Sequence, residues 1–241
     1  MTDKLPNKLN KCPIVDSVFE IRFESNIEQG AVFGMVYGKL RDEYPKTEEL
    51  PIRKFPQEII SNDLNSIYKP HYKISNDNTL IQIGPKVLAI SSFPVYQGWE
   101  TYSRTIVSII KKIDELGIID SINRIGLRYI NVFDENVFSE VLKLKINMGD
   151  KDYSNEKLVL RNEIIDGLYK KVISLSTATV LGGNKDKRIG SLIDIDVSKD
   201  NEINNLLSNP EEELTAIHLK EKTEFFNLIR KDYLIKMEPE Y

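Results

Sequence analysis

Two periods of apolar residues divide this chain. From Ile14 to Phe23 the period is two, with Ser17, Phe19, Ile21 and Phe23 on one parity and Val18, Glu20 and Arg22 on the other, which predicts a half-buried strand. From Gln29 to Tyr44 the residues Ala31, Phe33, Val36, Tyr37 and Leu40 recur at near-helical spacing until Pro45 ends the run. Gly30, Gly34 and Gly38 form a small-residue ridge on that helix and predict close packing on a sheet. Lys46 to Asn65, with Pro51 and Pro56, reads as a long surface loop. A meander follows, with strands at Tyr72 to Ser75, Thr79 to Ile83 and Val87 to Ser91 separated by Asn76-Asp77-Asn78 and Gly84-Pro85.

The stretch from Trp99 to Phe133 organises the rest. Trp99, Tyr102, Ile106, Ile109, Ile113 and Leu116 form an apolar helical stripe, with Arg104, Lys111, Lys112 and Glu115 on the polar face and Gly117 as the stop. A strand then places Ile125, Leu127 and Tyr129 on one side and Arg124, Gly126 and Arg128 on the other. Two guanidinium groups flank a glycine there, where a backbone lets another group come close.

After Asp134-Glu135-Asn136 the order repeats. Val141 to Asn147, Leu158 to Ile165, Tyr169 to Val180 and Arg188 to Val197 are predicted strands, with Asp166-Gly167 and Gly182-Gly183-Asn184 as hairpin tips. Asn209, Pro210 and the acids Glu211, Glu212 and Glu213 open a last helix, with Leu214, Ile217, Phe225, Leu228 and Ile229 as its stripe. Arg124-Ile125-Gly126 is echoed by Arg188-Ile189-Gly190, each beginning an alternating strand. The expected fold is therefore α+β: two similar antiparallel-sheet units, residues 1–135 and 136–241, each packed against a long helix and together forming one body with a possible internal duplication.

Composition narrows the function. The 33 basic and 37 acidic residues leave a net charge of -4, so nothing in bulk draws the chain to nucleic acid or an anionic membrane. The single cysteine, Cys12, excludes an internal disulfide framework and fits a reducing cytoplasm. The N-terminal segment lacks a continuous apolar run of signal-peptide length, and no stretch reaches the roughly 18 to 20 apolar residues of a membrane span. A cytoplasmic location is expected.

CPIVDSVFEIRF, YQGWETY, RIGLRYIN, LIDIDV and the C-terminal AIHLKEKTEFF resemble a sporadically distributed, uncharacterised prokaryotic protein family of about this length. The resemblance spans nearly the whole chain. It implies an accessory locus, of the kind that carries antiviral defence or toxin-linked systems, and draws attention to Trp99, Arg124, Arg128, Tyr129, Asn131, Asp194 and His218.

Familiar catalytic signatures are absent. The chain has no Walker loop, dinucleotide-binding glycine pattern, metalloprotease helix or nucleophile elbow, and only His71 and His218 are available for a histidine metal centre. Cys12 beside Pro13 reads as a small apolar residue. Asp194 and Asp196 share a strand face about 7 Å apart, close enough to hold a divalent ion or to meet arginines. Arg124 and Arg128 can recognise phosphate or carboxylate, or form structural ion pairs with Asp194, Asp196 or Glu20. Trp99 is a packing anchor or a stacking surface, Asn131 a loop cap or ligand contact, and His218 a packed histidine or a ligand. Lys111-Lys112 and Lys220-Glu221-Lys222 read as solvated helix faces.

The first functional reading is a non-enzymatic binding or interaction protein that holds a protein partner or anionic ligand between its two sheets with Trp99, Arg124, Arg128, Asn131 and His218. It needs no cofactor, and a homo-oligomer with an exposed sheet edge is compatible with it. The second is a metal-assisted enzyme or sensor acting on nucleotides or nucleic acid, with a divalent metal on Asp194 and Asp196 and phosphate on Arg124 and Arg128.

Overall fold

The computed structural model describes residues 4–54, 66–181, 188–203 and 205–241. Helices and a large antiparallel sheet make the protein α+β. The strands of the main sheet are β2 (Ile14–Glu24), β3 (Lys46–Glu49), β4 (Tyr72–Ser75), β5 (Thr79–Ile83), β6 (Val87–Ser92), β7 (Ser121–Phe133), β10 (Val159–Asp166), β11 (Tyr169–Leu181) and β12 (Arg188–Lys199). They lie in the order β10-β11-β12-β7-β2-β6-β5-β4-β3. Two short ribbons complete the strands: β1 (Lys8–Leu9) with β13 (Pro239–Glu240), and β8 (Asn147–Met148) with β9 (Lys151–Asp152). The chain divides into two compact units, neither of them one continuous segment. The first comprises Asp16–Leu127 and Ser198–Ile217, the second Met1–Val15, Arg128–Val197 and His218–Tyr241.

In the first unit, alternation along β2 decides the layering. Phe19, Ile21 and Phe23 are at most 2% exposed, and their cross-strand neighbours Ile90 and Leu88, then Ile81, Ile83 and Ile74, extend the same apolar layer. The predicted stripe of α2 (Trp99–Asp114) covers it, with Tyr102, Ile106, Ile109 and Ile113 buried. The enclosed Tyr102 hydroxyl donates to the Ile90 carbonyl at 2.6 Å, and burial pushes its pKa well above the ordinary tyrosine value. After α2 the chain reverses at Gly117, whose φ of 61° is the left-handed conformation glycine adopts freely.

Helix α1 (Gln29–Leu40) corrects the expectation about its glycines. Val32, Val36 and Leu40, spaced by four, form the buried row. That row turns Gly34 and Gly38 outward, where an added Cβ would meet nothing within 4 Å. Two of the three glycines predicted to lie on the sheet thus face open space, and at Gly30 a Cβ would meet the Glu28 side chain at 2.9 Å. Phe33 reaches sideways to stack on Tyr72, ring centroids 3.8 Å apart. The predicted loop from Lys46 begins as the exposed strand β3, paired with β4, followed by a 3-10 turn at Pro51–Lys54. The rest of that predicted loop, 55–65, lies outside the described residues.

In the second unit, Ile173 and Leu175 of β11, Ile193, Ile195 and Val197 of β12, and Tyr129 and Phe133 of β7 are buried with Phe225, Ile229, Tyr233 and Met237. The strand predicted at Val141 to Asn147 is not formed. Val141 ends a π-helical stretch, Val137–Val141, in which the Asn136 side chain accepts from the Phe138 and Ser139 amides while Val137, Phe138 and Val141 turn into the core. Leu142 then makes an isolated bridge to Ile229, and Asn147 begins β8. Asp166-Gly167 turns β10 into β11 as expected, with Gly167 at φ 62°. The tip predicted at Gly182-Gly183-Asn184 lies outside the described residues. Helix α3 (Pro210–Leu228) starts at the predicted proline, and a short helix, α4 (Lys231–Lys236), follows it. Among the described residues no helix is long and apolar enough to cross a membrane.

Because Gly34 and Gly38 sit in open space on a helix interior, Gly34→Ala and Gly38→Ala are each expected to raise stability by about 0.5–1 kcal/mol in urea unfolding. A loss of stability in either variant would show that the bare backbone there is needed for a contact.

Candidate functional site

The two arginines of β7 lie on the parity that alternation assigns them, and each meets a carboxylate. In the first unit Arg124 Nη1 donates to Glu20 Oε1 at 2.7 Å, and the same oxygen accepts from Arg22 Nε at 2.7 Å. Asp200 lies 3.7 Å from Arg124 Nε, and the Arg22 guanidinium sits over the Tyr68 ring at 5.0 Å. Gly126 explains the fold of Arg124. A Cβ at Gly126 would lie 2.7 Å from Arg124 Nη1, so the group that the bare backbone admits is the neighbouring guanidinium. Trp99, in the same unit, stands half-buried at the start of α2 and meets Tyr102 edge-on, centroids 6.4 Å apart.

The second unit holds Arg128, Asn131, Asp194, Asp196 and His218. Arg128 Nε and Nη2 donate to the two Asp194 oxygens, each at 2.7 Å, a fork-to-fork pair. Arg128 is 46% exposed and Asp194 15%, so the pair sits at the edge of solvent. Asp196 is half-buried on the same strand. Among the described residues no group of three or more His, Cys, Asp and Glu is placed to hold a metal ion. Asn131 is 2% exposed and donates from Nδ2 to the Ile193 carbonyl at 3.2 Å, which makes it a buried link between backbone and side chain. His218 meets Tyr129 edge-on at 6.2 Å. Burial, assisted by Lys222, pulls its pKa down to about 3, which leaves a neutral imidazole of low basicity at pH 7. In the first unit His71 is likewise shifted down, by burial and then by Arg53.

Sequence reasoning missed a set of charges turned inward. On β11, Lys171 shares the parity of Ile173 and Leu175, and it meets Asp166 at 2.9 Å and Glu224 at 3.0 Å. Burial pulls the Lys171 ammonium down, but the two carboxylates outweigh it and the pKa ends above the ordinary value. Lys171 and Lys220 together hold Asp166 at about 2. Glu221 corrects the reading of Lys220-Glu221-Lys222 as a solvated face, for it is only 3% exposed. Burial first, and Glu224 second, push its carboxyl well above the ordinary glutamate value. In the first unit Lys199 shares the inward parity of β12 and meets both oxygens of Glu213, at 2.9 and 3.0 Å. The signal was available: Lys171 and Lys199 fall on apolar parities, and Glu221 falls four residues after Ile217 and four before Phe225 on the buried stripe of α3.

Two surface hollows lie elsewhere. A groove of about 410 Å³ in the first unit runs between Arg104, Val107 and Lys111 of α2 and Glu211, Leu214 and Thr215 of α3, with Lys111 and Glu211 paired at 2.9 Å. A second, of about 380 Å³ in the second unit, is lined by Cys12, Phe133, Glu135 and Tyr233 among others. There Tyr233 donates to Glu135 at 2.8 Å, and Cys12 is exposed.

Glu221 gives the site a pH signature. The unfolded chain ionises it near the ordinary value of about 4.3, whereas the folded chain holds the proton to higher pH, so its contribution to stability is full in acid and is lost as pH rises. Glu221→Gln is therefore expected to be more stable than the parent at pH 8 by about 1 kcal/mol or more in urea unfolding, with the difference closing near pH 4. Equal stability at both pH values would contradict the protonated, buried carboxyl. Compared with known family models and with curated proteins, the chain matches none.

Proposed function

We propose that the protein is a non-enzymatic binding or interaction protein of the cytoplasm, serving an accessory locus and engaging a protein partner or an anionic ligand. The observation that supports this most is the Arg128–Asp194 fork. A metal on Asp194 has to strip that carboxylate of a bidentate partner, whereas a partner or ligand that brings a carboxylate or phosphate can take the place of Asp194 on the guanidinium charge for charge. Arg124 is similarly neutralised by Glu20. Arg128, at 46% exposure, is the more accessible of the two guanidinium groups and the better contact for an incoming carboxylate or phosphate. We further propose an internal duplication, supported by the Arg-Ile-Gly echo at the neighbouring strands β7 and β12.

Native mass spectrometry of the protein purified from its own host at gentle salt tests this reading. A protein chain or a small anion is expected to stay bound, and loss of the anion in Arg128→Ala would assign it to that guanidinium. Divalent-metal-dependent turnover of a nucleotide, abolished by Asp194→Asn, would overturn the proposal in favour of the metal-assisted enzyme.

A further inference from the structure

The main sheet ends differently at its two edges. At one edge, β3 has four residues, Lys-Thr-Glu-Glu, all exposed, the short and charged kind of strand that resists pairing with another chain. At the other, β10 runs for eight residues in unbroken register with β11, without proline or bulge. Its outer parity carries Val159 and Ile165 at 80% and 72% exposure, on either side of Arg161 and Glu163. Such an edge is a template for a further strand.

The hydrogen-bonding direction along β10 follows from its pairing. The Thr177 amide donates to the Leu158 carbonyl at 3.0 Å, so the even-numbered residues turn their amide and carbonyl groups to β11 and the odd-numbered ones, from Val159 to Ile165, turn theirs outward. An antiparallel strand added to this edge has to pair with those odd residues. When the added strand is β10 of a second copy related by a two-fold axis, the axis must pass through a residue. Centred on Arg161 it opposes the two Arg161 side chains, and centred on Glu163 it opposes the two Glu163 side chains. Centred on Asn162, it opposes Arg161 to Glu163 and Val159 to Ile165 in both directions. The inner parity then opposes Leu160 to Ile164 as well. Apolar meets apolar and positive meets negative at every outward position.

From this self-complementarity we propose that β10 is the docking edge for a second copy of this chain, forming an isologous dimer whose sheet continues through an antiparallel β10–β10 pair centred on Asn162. In the single chain Arg161 bonds Glu163 at 3.0 Å and Lys170 lies 2.7 Å from Glu163, both exposed pairs that can be shared with the second copy. The interaction surface is independent of the binding reading above.

Sedimentation equilibrium and native mass spectrometry test the proposal on the full chain. The parent protein is expected to dimerise as its concentration rises to about 200 µM. Arg161→Glu and Glu163→Arg each oppose like charges at both symmetric positions and are expected to weaken the dimer roughly tenfold or more. An equimolar mixture of these two variants is expected to form a heterodimer, and the doubly exchanged Arg161→Glu/Glu163→Arg chain to dimerise like the parent. That rescue separates an interface effect from misfolding. In a Cys12→Ser background, Asn162→Cys is expected to give a disulfide-linked dimer on mild oxidation. A parent protein that stays monomeric throughout, a dimer insensitive to both reversals, or reversals that mixing does not rescue would each overturn the proposal, the first leaving this edge to a strand from another protein.

Discussion

Alternation along the strands is the constraint on which the rest depends. Where helices cover one side of the sheet, each strand has to turn its apolar parity inward, and Phe19, Ile21 and Phe23 in the first unit and Ile193, Ile195 and Val197 in the second do so. The opposite parity is then charged and partly enclosed, so its ions have to find one another. Glu20 receives Arg22 and Arg124, and Asp194 receives Arg128. Gly126 belongs to the same arrangement, since a side chain there would displace the guanidinium that neutralises Glu20.

A second kind of charge sits on the wrong parity. Lys171, Lys199 and Glu221 turn toward the core, and their different surroundings give them different consequences. Lys171 and Lys199 meet carboxylates at 2.9 to 3.0 Å and are held by that geometry. At Glu221 burial, and the repulsion of Glu224 after it, push the carboxyl well above the ordinary glutamate value. Burying an ion costs several kcal/mol, so each such residue works against stability unless paired and fixes orientation when it is.

Much of this was legible in the sequence because it follows from short-range periodicity. The strand from Ile14, the Trp99 helix with its stop at Gly117, the meander and the proline-led start of α3 all agree with the structure. Local patterns failed after Asn136, which caps the π-helical stretch Val137–Val141, since Leu142 then makes an isolated bridge to Ile229 where a strand to Asn147 was expected. They failed again where two readings shared one pattern. The glycines of α1 looked like a packing ridge, but the row of Val32, Val36 and Leu40 took the buried position. At the candidate site the pairing of Arg124 with Glu20 and of Arg128 with Asp194 was among the sequence readings, whereas Glu224, one of the two partners of Lys171, lies on a helix distant in sequence and could not be read from spacing.

The account rests on these sheet-face charges serving each other, and the Arg128–Asp194 pair tests that most directly. A double-mutant cycle of Arg128→Ala, Asp194→Ala and both, followed by urea unfolding without added ligand, should give a coupling energy of about 1 kcal/mol, as a well-aligned bidentate pair at the edge of solvent provides. A coupling near zero, with Arg128→Ala as stable as the parent, would mean that the guanidinium is held there for something other than Asp194.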